Sequence, residues 1–326
     1  MKEPNMTKKI LDYVLVFLSI VTLNFFLPRF IPGSPLTAIY GDSLLELNPA
    51  LRESIIETFG LDLPLWMQFW HYLAGMARGD LGHSIYFQQP VMEVIIGGLP
   101  WTILLSGTAL VISTVAGVFL GVESARRRGK WGDGILLFIV MFINGLPVFF
   151  LGMLLIVFVA INLSLFPTSG AGTYYVSLTG VEWWLDTARH LVLPSLALAL
   201  TLIPRNYLLM RNSMVTVMEK PYMTIAKGKG LKKRIIAYRH GARSALLPVV
   251  TRLGMTFGLM ITGGILVEKV FAYPGLGHLF TLALYRHDYP LMQGVLLVIA
   301  IMVLGGNLAA DLVALLLDPR VKENAF

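Results

Sequence analysis

The sequence predicts an all-α protein that crosses a membrane several times. Of its 326 residues, 56% are hydrophobic and only 14% are charged, and the mean hydropathy is +0.71. A soluble globular domain is not this apolar. Six apolar runs along the chain are each long enough for a spanning helix, which needs about 20 residues. We therefore predict a polytopic membrane protein with six transmembrane helices.

The first predicted span covers residues 10–27 and follows Lys8 and Lys9. No small-residue cleavage site comes after it, so we predict an uncleaved helix rather than a signal peptide. Asn24 within this span is expected to form an interhelical hydrogen bond. Residues 28–98 are expected to form an extracytoplasmic segment with short helices, because this stretch is polar and its seven acidic residues outnumber three basic ones.

The predicted core, residues 99–317, holds five further spans and a polar cytoplasmic loop, residues 211–245, between the fourth and fifth spans of the chain. Residues 318–326 form the C-terminal tail. The fourth span leads directly into the polar segment, and residues 162–189 before it are predicted to be a loop, in which Trp183 and Trp184 anchor the membrane interface. The five spans are predicted at 99–122, 134–161, 190–209, 246–267 and 291–317.

Three of these spans contain residues that predict specific packing. The 28 residues of 134–161 would measure about 42 Å if straight, so Pro147 should kink this helix. Gly254 and Gly258 form a Gly-x-x-x-Gly face for close helix contact. Asp311 could act as an intramembrane proton relay; its position near Asn307 and Arg320 favours a helix-packing hydrogen bond or ion pair.

The orientation follows from the basic residues. Residues 211–247 contain nine Lys or Arg and only one acid, Glu219, and must lie outside the hydrocarbon. If the N-terminus is cytoplasmic, 20 of the 26 Lys and Arg residues fall in inner segments. This alternation places both termini and residues 211–247 in the cytoplasm. It also explains the net charge of +7 without nucleic acid.

The basic segment has its own helical pattern. Pro221 suits the first turn of a helix, and Ala226 and Gly230 share one helix face, where small side chains would let another backbone approach. Gly228 and Gly230 should end this helix, and a second one should begin at Leu231. A basic helix lying on anionic lipid is the alternative interpretation.

Three blocks of residues form recognisable motifs. The first comprises Tyr222, Ala226, Lys229, Gly230, Leu231, Arg239, His240 and 246–248. The second comprises 60–64, Gln68 and 79–84, and the third covers 268–277. These blocks resemble ABC-importer permeases, most closely those for dipeptides, oligopeptides and nickel. The first is similar to their cytoplasmic coupling loop, although Thr224 and Ile225 stand where the general motif has Glu and Ala. The second resembles the first external loop of peptide and nickel permeases, and the third resembles a peptide-permease signature.

The resemblance implies a type I ABC-importer fold in a bacterial or archaeal cytoplasmic membrane. It implies a second homologous permease, two ABC ATPases that bind ATP and Mg²⁺, an extracytoplasmic substrate-binding protein, and surrounding membrane lipid. No cofactor is expected in this chain. Short peptides are the expected substrate, with nickel or another chelated metal as the alternative. The residues expected to dock the ATPase are Tyr222, Thr224, Ala226, Lys229, Gly230 and Leu231. Ala226→Glu or Gly230→Trp should then abolish transport and leave insertion intact.

The sequence offers little for other classes of protein. It has no cysteine, which excludes thiol catalysis and thiolate metal sites, and it lacks a P-loop for ATP hydrolysis. His71 and His83 could bind a metal but are more simply ordinary loop residues. A self-sufficient secondary transporter would need coupling charges near the membrane midplane, and a membrane-embedded enzyme would need a polar constellation at one depth. The spans show neither pattern.

Overall fold

A computed structural model describes residues 6–30, 62–173, 176 and 178–317. All regular elements in these ranges are helices, and the only strand-like pairing there is an isolated bridge between His83 and Pro90. The predicted all-α class is therefore confirmed. Gly60, Leu61 and residues 318–326 lie outside the described residues, as do the side-chain surroundings of three residues whose backbone is helical: Gly254, Gly258 and Asp311.

The chain divides into two compact units. Unit 1 comprises Met1–Trp101 and Gly275–Ile301, and unit 2 comprises Thr102–Pro274 and Met302–Phe326. The helices are α1 (Met6–Phe26), α2 (Leu65–Ala77), α3 (Val91–Arg126), α4 (Trp131–Asn144), α5 (Val148–Leu155), α6 (Val181–Met218), α7 (Pro221–Gly228), α8 (Lys233–Ile235), α9 (Ala242–Ala245), α10 (Leu247–Val270), α11 (Leu276–Tyr285) and α12 (Tyr289–Leu317).

The long apolar helices agree with a polytopic membrane protein. Four helical stretches in the described residues are long and apolar enough to cross a bilayer, and the bent pair α4–α5 would make a fifth. The predicted fifth span falls on α10, a helix of 24 residues. Six spans are consistent with this arrangement. Large apolar side chains such as Val115, Phe138 and Phe142 are more than half exposed in the isolated chain, as expected for helices that face lipid or another subunit.

The stretch expected to kink at Pro147 is broken there. α4 ends at Asn144, Gly145 follows as its C-cap residue, and Pro147 is the N-cap of α5. The two helices are bent by 102°. Proline suits this position because it has no N–H to contribute to a helix hydrogen bond. α5 then continues as a π-helix over Ile156–Asn162.

Two helices begin well before their predicted starts. α3 begins at Val91, so Pro100 lies well inside it rather than at its start; membrane helices tolerate such a proline when neighbouring groups satisfy the freed carbonyl. α6 begins at Val181 and contains Trp183 and Trp184, which were expected in a loop. Gly180, with φ of 59°, permits the turn into α6, and Glu182 in the first turn favours the helix start.

Candidate functional site

The basic segment folds as a short helix attached to the end of a long one. α6 ends at Met218, and α7 begins at Pro221, in agreement with the expected role of this proline in a first helical turn. One face of α7 is buried against its own chain. Met223 is fully buried and Ala226 is 9% exposed, and both pack with Ile236 and Met218. The small side chain of Ala226 thus faces inward.

The opposite face of α7 carries large exposed side chains. Ile225 is 63% exposed and Tyr222 is 42% exposed, and Thr224 between them is also exposed. Ile225 is absent from the residues expected to dock the ATPase, because it stands where the general motif has Ala. Its large apolar side chain, next to Ala226 in a polar segment, is the sequence feature that could have indicated a contact surface. An exposed apolar face on a short helix is a feature of protein contact surfaces.

The end of α7 depends on a glycine conformation. The backbone N–H of Lys229 donates to the carbonyl of Ile225 at 3.1 Å. Gly230 then adopts a φ angle of +70°, a backbone conformation that residues other than glycine rarely adopt. Both residues are exposed, and Leu231 is 37% exposed. Gly230 therefore has a local structural function that is independent of any partner.

The remainder of the segment is fixed to α6. The second helix expected from Leu231 is irregular: it consists of α8, a π-helix over Ile236–Gly241, and α9. Gly241 in the π-helix allows close approach, since a Cβ there would lie 3.0 Å from Cε of Met214. The alanines of this stretch pack with methionines of α6 in one core cluster. Its buried members are Val122, Ala125, Met210, Met214, Val217, Ala237, Ala242, Ala245 and Val249.

A polar cluster, formed by Ser124, Asp133, Tyr207 and Arg211, joins α6 to α3 and α4. Arg211 donates from Nε to Oδ1 of Asp133 at 3.0 Å and from Nη2 to Oδ2 at 2.8 Å. Ser124 donates to the same carboxylate, and its hydroxyl lies 2.7 Å from that of Tyr207. Asp133 is 6% exposed, and Ser124 and Tyr207 are fully buried. In the sequence, Arg211 is one of nine basic residues in 211–247. In the structure, Asp133 neutralises its charge.

Close contact of α3 with α6 supports this cluster. A Cβ on Gly117 would lie 2.6 Å from Cβ of Asn206, and one on Gly121 would lie 2.8 Å from Cβ of Met210. These two glycines form a Gly-x-x-x-Gly pair that the sequence analysis did not select. The same motif that drew attention to Gly254 and Gly258 could have identified it.

Ser84 of the block 79–84 and Asn24 of α1 make structural contacts within unit 1. The buried carboxylate of Asp288 accepts hydrogen bonds from the hydroxyl of Ser84 at 2.5 Å and from the N–H of Tyr86 at 3.0 Å. Asn24 donates to the carbonyl of Gln293 in α12 at 2.7 Å, which confirms its expected interhelical hydrogen bond. In the described part of the chain, no group of three or more His, Asp or Glu could hold a metal.

Comparisons with known proteins agree with these features. The family model described as "Binding-protein-dependent transport system inner membrane component" matches residues 113–323, and the N-terminal model for the membrane components of such systems matches residues 5–106. The oligopeptide transport system permease protein AppB of Bacillus subtilis is 33% identical over 94% of this chain and 95% of its own length. The dipeptide permease DppB of Escherichia coli is 32% identical over 94% and 95%.

A third relative and a solved structure give the same result. The glutathione transport system permease protein GsiC of Escherichia coli is 32% identical over 97% of both chains. The fold resembles that of the inward-facing MetNI methionine ABC transporter, with a TM-score of 0.54, 17% identity, and coverage of 70% of this chain and 97% of that one. The chain belongs to the family of binding-protein-dependent transport system inner membrane components, the permease subunits of ABC importers.

Proposed function

We propose that this permease subunit forms half of a translocation pathway for short peptides, and that α7 docks an ATPase subunit. The cargo is inferred from the relatives named for oligopeptides, dipeptides and glutathione. The docking role is inferred from one observation above all: α7 exposes Tyr222 and Ile225 while its other face is anchored to the chain. A helix anchored in this way is already folded, so it can transmit a displacement that a bound partner imposes on it.

The contacts of unit 2 suggest how a displacement of α7 would reach the long helices. Met223 and Ala226 pack on Ile236 and Met218, so displacement of α7 would move the end of α6. Arg211 connects α6 to Asp133 at the start of α4. Movement of the ATPases would therefore move α6 and α4 together, as rigid-body rocking requires. The broken helix pair α4–α5 and the helix α10 are our candidates for the walls of the pathway.

The proposed assembly contains a second homologous permease, two ATPases that bind ATP and Mg²⁺, and an extracytoplasmic binding protein that delivers the peptide. The basic residues of 211–247 and of 126–130 support a cytoplasmic location for these segments and for both termini. In this orientation α7 lies on the side where ATP is available. Residues 62–90, between α1 and α3, lie on the side of the binding protein.

A substitution on the outward face of α7 tests the docking proposal. Ile225→Asp places a charge at a 63% exposed position, so it should leave the fold and membrane insertion unchanged. It should remove apolar contact with the ATPase, because a carboxylate buried at an interface without a partner is strongly unfavourable. We expect tagged Ile225→Asp complexes to lose most of their ATPase in mass spectrometry, and peptide uptake to fall at least about tenfold.

Ile225→Leu is the matched control and should retain the ATPase and transport. Ala226→Glu is less informative, because it buries a charge among Met223 and Ile236 and so disturbs the fold as well as any contact. Normal ATPase content and uptake in Ile225→Asp would show that α7 does not dock through this face.

A further inference from the structure

Unit 1 contains a cavity of about 250 Å³ beside the 3-10 turn, Leu27–Phe30, that follows α1. It is bounded by this turn, by α2 and the loop that follows it, and by the start of α12. Its wall combines apolar side chains with charged and neutral polar side chains. The polar side chains that matter here are those of Arg29, Gln68, His71, Tyr72, Asp80 and Gln293.

Arg29 is held in a fixed position by neutral groups. Its Nη1 donates to the carbonyl of Phe25 at 2.6 Å, and its Nη2 donates to Oε1 of Gln68 at 2.7 Å. The guanidinium carbon also lies 3.6 Å from the centre of the Phe25 ring, within cation–π distance. None of these partners carries a negative charge, and Arg29 makes no ion pair within the described residues.

Arg29 therefore presents a positive charge to the cavity. A guanidinium has five N–H donors, and the described contacts use two of them. The remaining donors, and a charge that no described residue compensates, suit a carboxylate, which can accept two parallel hydrogen bonds from arginine. Because the side chain is already ordered, a ligand would not have to immobilise it.

A further donor is available from Tyr72. Its hydroxyl accepts a hydrogen bond from Nδ2 of Asn24 at 3.2 Å, and the same Asn24 nitrogen donates to the carbonyl of Gln293. Burial raises the pKa of Tyr72 above its ordinary value, so the phenol stays protonated and keeps its O–H for an acceptor. The polar wall beside Arg29 is thus arranged to donate hydrogen bonds.

Asp80 supplies a negative charge to the same cavity. One of its oxygens, Oδ1, accepts the N–H of Gly82 at 2.8 Å. Its other oxygen accepts no hydrogen bond among the described residues. This residue belongs to the external block 79–84 that carried the family resemblance. Its carboxylate can accept from an ammonium group, so the cavity has charges of both signs.

We propose that this cavity binds a short zwitterionic peptide, with its carboxylate on Arg29 and its amino group on Asp80. The choice of a peptide rests on the proposed function. The cavity volume lies just below the range of pockets for drug-sized ligands, about 300–1,000 Å³, so it suits a small ligand and is too small for the two acyl chains of a phospholipid. The site would hold cargo at the extracytoplasmic side of the permease.

Binding of dialanine to the purified importer in nanodiscs, without ATP or binding protein, tests this assignment. The probes are Ala-Ala, N-acetyl-Ala-Ala, which keeps only the carboxylate, and Ala-Ala-amide, which keeps only the amine. Arg29→Gln should weaken Ala-Ala and N-acetyl-Ala-Ala at least about tenfold, because a charged hydrogen-bond partner is lost, and should leave Ala-Ala-amide unchanged. Asp80→Asn should weaken binding of Ala-Ala and Ala-Ala-amide only, because the negative charge that faces their amino group is lost. The loop should keep its conformation, because the asparagine oxygen can still accept the N–H of Gly82.

Arg78→Gln is the matched control, because Arg78 is exposed and does not line the cavity. Equal binding of dialanine by Arg29→Gln and Arg78→Gln overturns the proposal. Anionic phospholipid that co-purifies with wild type and Arg78→Gln and is lost from Arg29→Gln also overturns it, since the occupant is then a lipid headgroup. An importer that takes up peptides without binding dialanine here contradicts only this site. An importer that takes up no peptide contradicts the proposed function itself.

Discussion

Two partly buried arginines, Arg211 in unit 2 and Arg29 in unit 1, have opposite electrostatic surroundings. Arg211 makes two hydrogen bonds to the carboxylate of Asp133, whereas Arg29 donates to a backbone carbonyl and an amide oxygen. The first arrangement cancels the charge and fastens α6 to α4. The second orders the side chain, and no carboxylate among the described residues cancels its charge. Within the described part of the chain, Arg29 is thus the better candidate for a binding group.

The largest effect is expected when Arg211 loses its partner. Asp133→Leu leaves a buried cation without a counter-ion, which typically costs 3–5 kcal/mol. We expect about 3 kcal/mol, at the lower end of that range, because the Arg211 side chain retains 19% of its exposure. Unfolding in mixed micelles with increasing SDS measures this loss. The variant would leave Arg211, like Arg29, without an ion pair among the described residues.

The double variant Asp133→Leu/Arg211→Met is the control for that experiment. It replaces both charges by apolar groups, and such replacements are often nearly neutral. Most of the lost stability should therefore return. If the double variant is as unstable as Asp133→Leu, the carboxylate acts through Ser124 and not mainly through Arg211.

A smaller loss of stability is expected when the close contact between α3 and α6 at Gly121 is disturbed. In Gly121→Ala the new Cβ would lie 2.9 Å from the carbonyl oxygen of Tyr207 and 3.0 Å from the backbone nitrogen of Arg211. Backbone atoms cannot move aside as a flexible side chain can, so the two helices must separate. Overpacking of this kind costs about 1–3 kcal/mol. The same SDS titration should show that loss.

Gly107→Ala in the same helix α3 is the matched control. Apart from the neighbouring backbone of α3 itself, no described atom lies within 4 Å of a Cβ at this position, and alanine favours a helix over glycine by about 0.5–1 kcal/mol. Gly107→Ala should therefore equal or exceed the wild-type stability. Equal losses in the two variants would mean that α3 tolerates no alanine and that close packing at Gly121 is not the cause.

The features that the sequence predicted are those with a local cause. Apolar run length predicted the long helices, and Pro221 predicted the start of α7, because both depend on neighbouring residues alone. The break at Asn144–Pro147 follows from a proline after Gly145, but its angle of 102° depends on packing against other helices. The start of α6 at Val181 was missed because polar residues there conceal a helix that continues beyond the apolar run.

The contacts within the candidate sites depend on distant residues and could not be predicted in this way. Arg211 and Asp133 are separated by 78 positions, so the basic segment could not reveal that one of its charges is paired. Ala226 was assigned to the docking face because small residues permit close approach; in the structure they permit approach of the chain's own Ile236. Burial of one face then leaves Ile225 on the other.

The smallest loss of stability is expected when an ion pair exposed to solvent is removed. Arg128 contacts Glu219 at 2.9 Å, but their side chains are 58% and 69% exposed. Glu219→Gln should therefore change the free energy of unfolding by less than about 1 kcal/mol. The difference should disappear near about 1 M salt, where the screening length is about 3 Å. The effect of Asp133→Leu should persist there, because burial shields that pair from ions. A loss in Glu219→Gln as large as that in Asp133→Leu would show that ion pairing itself, rather than burial, controls the stability of this part of unit 2.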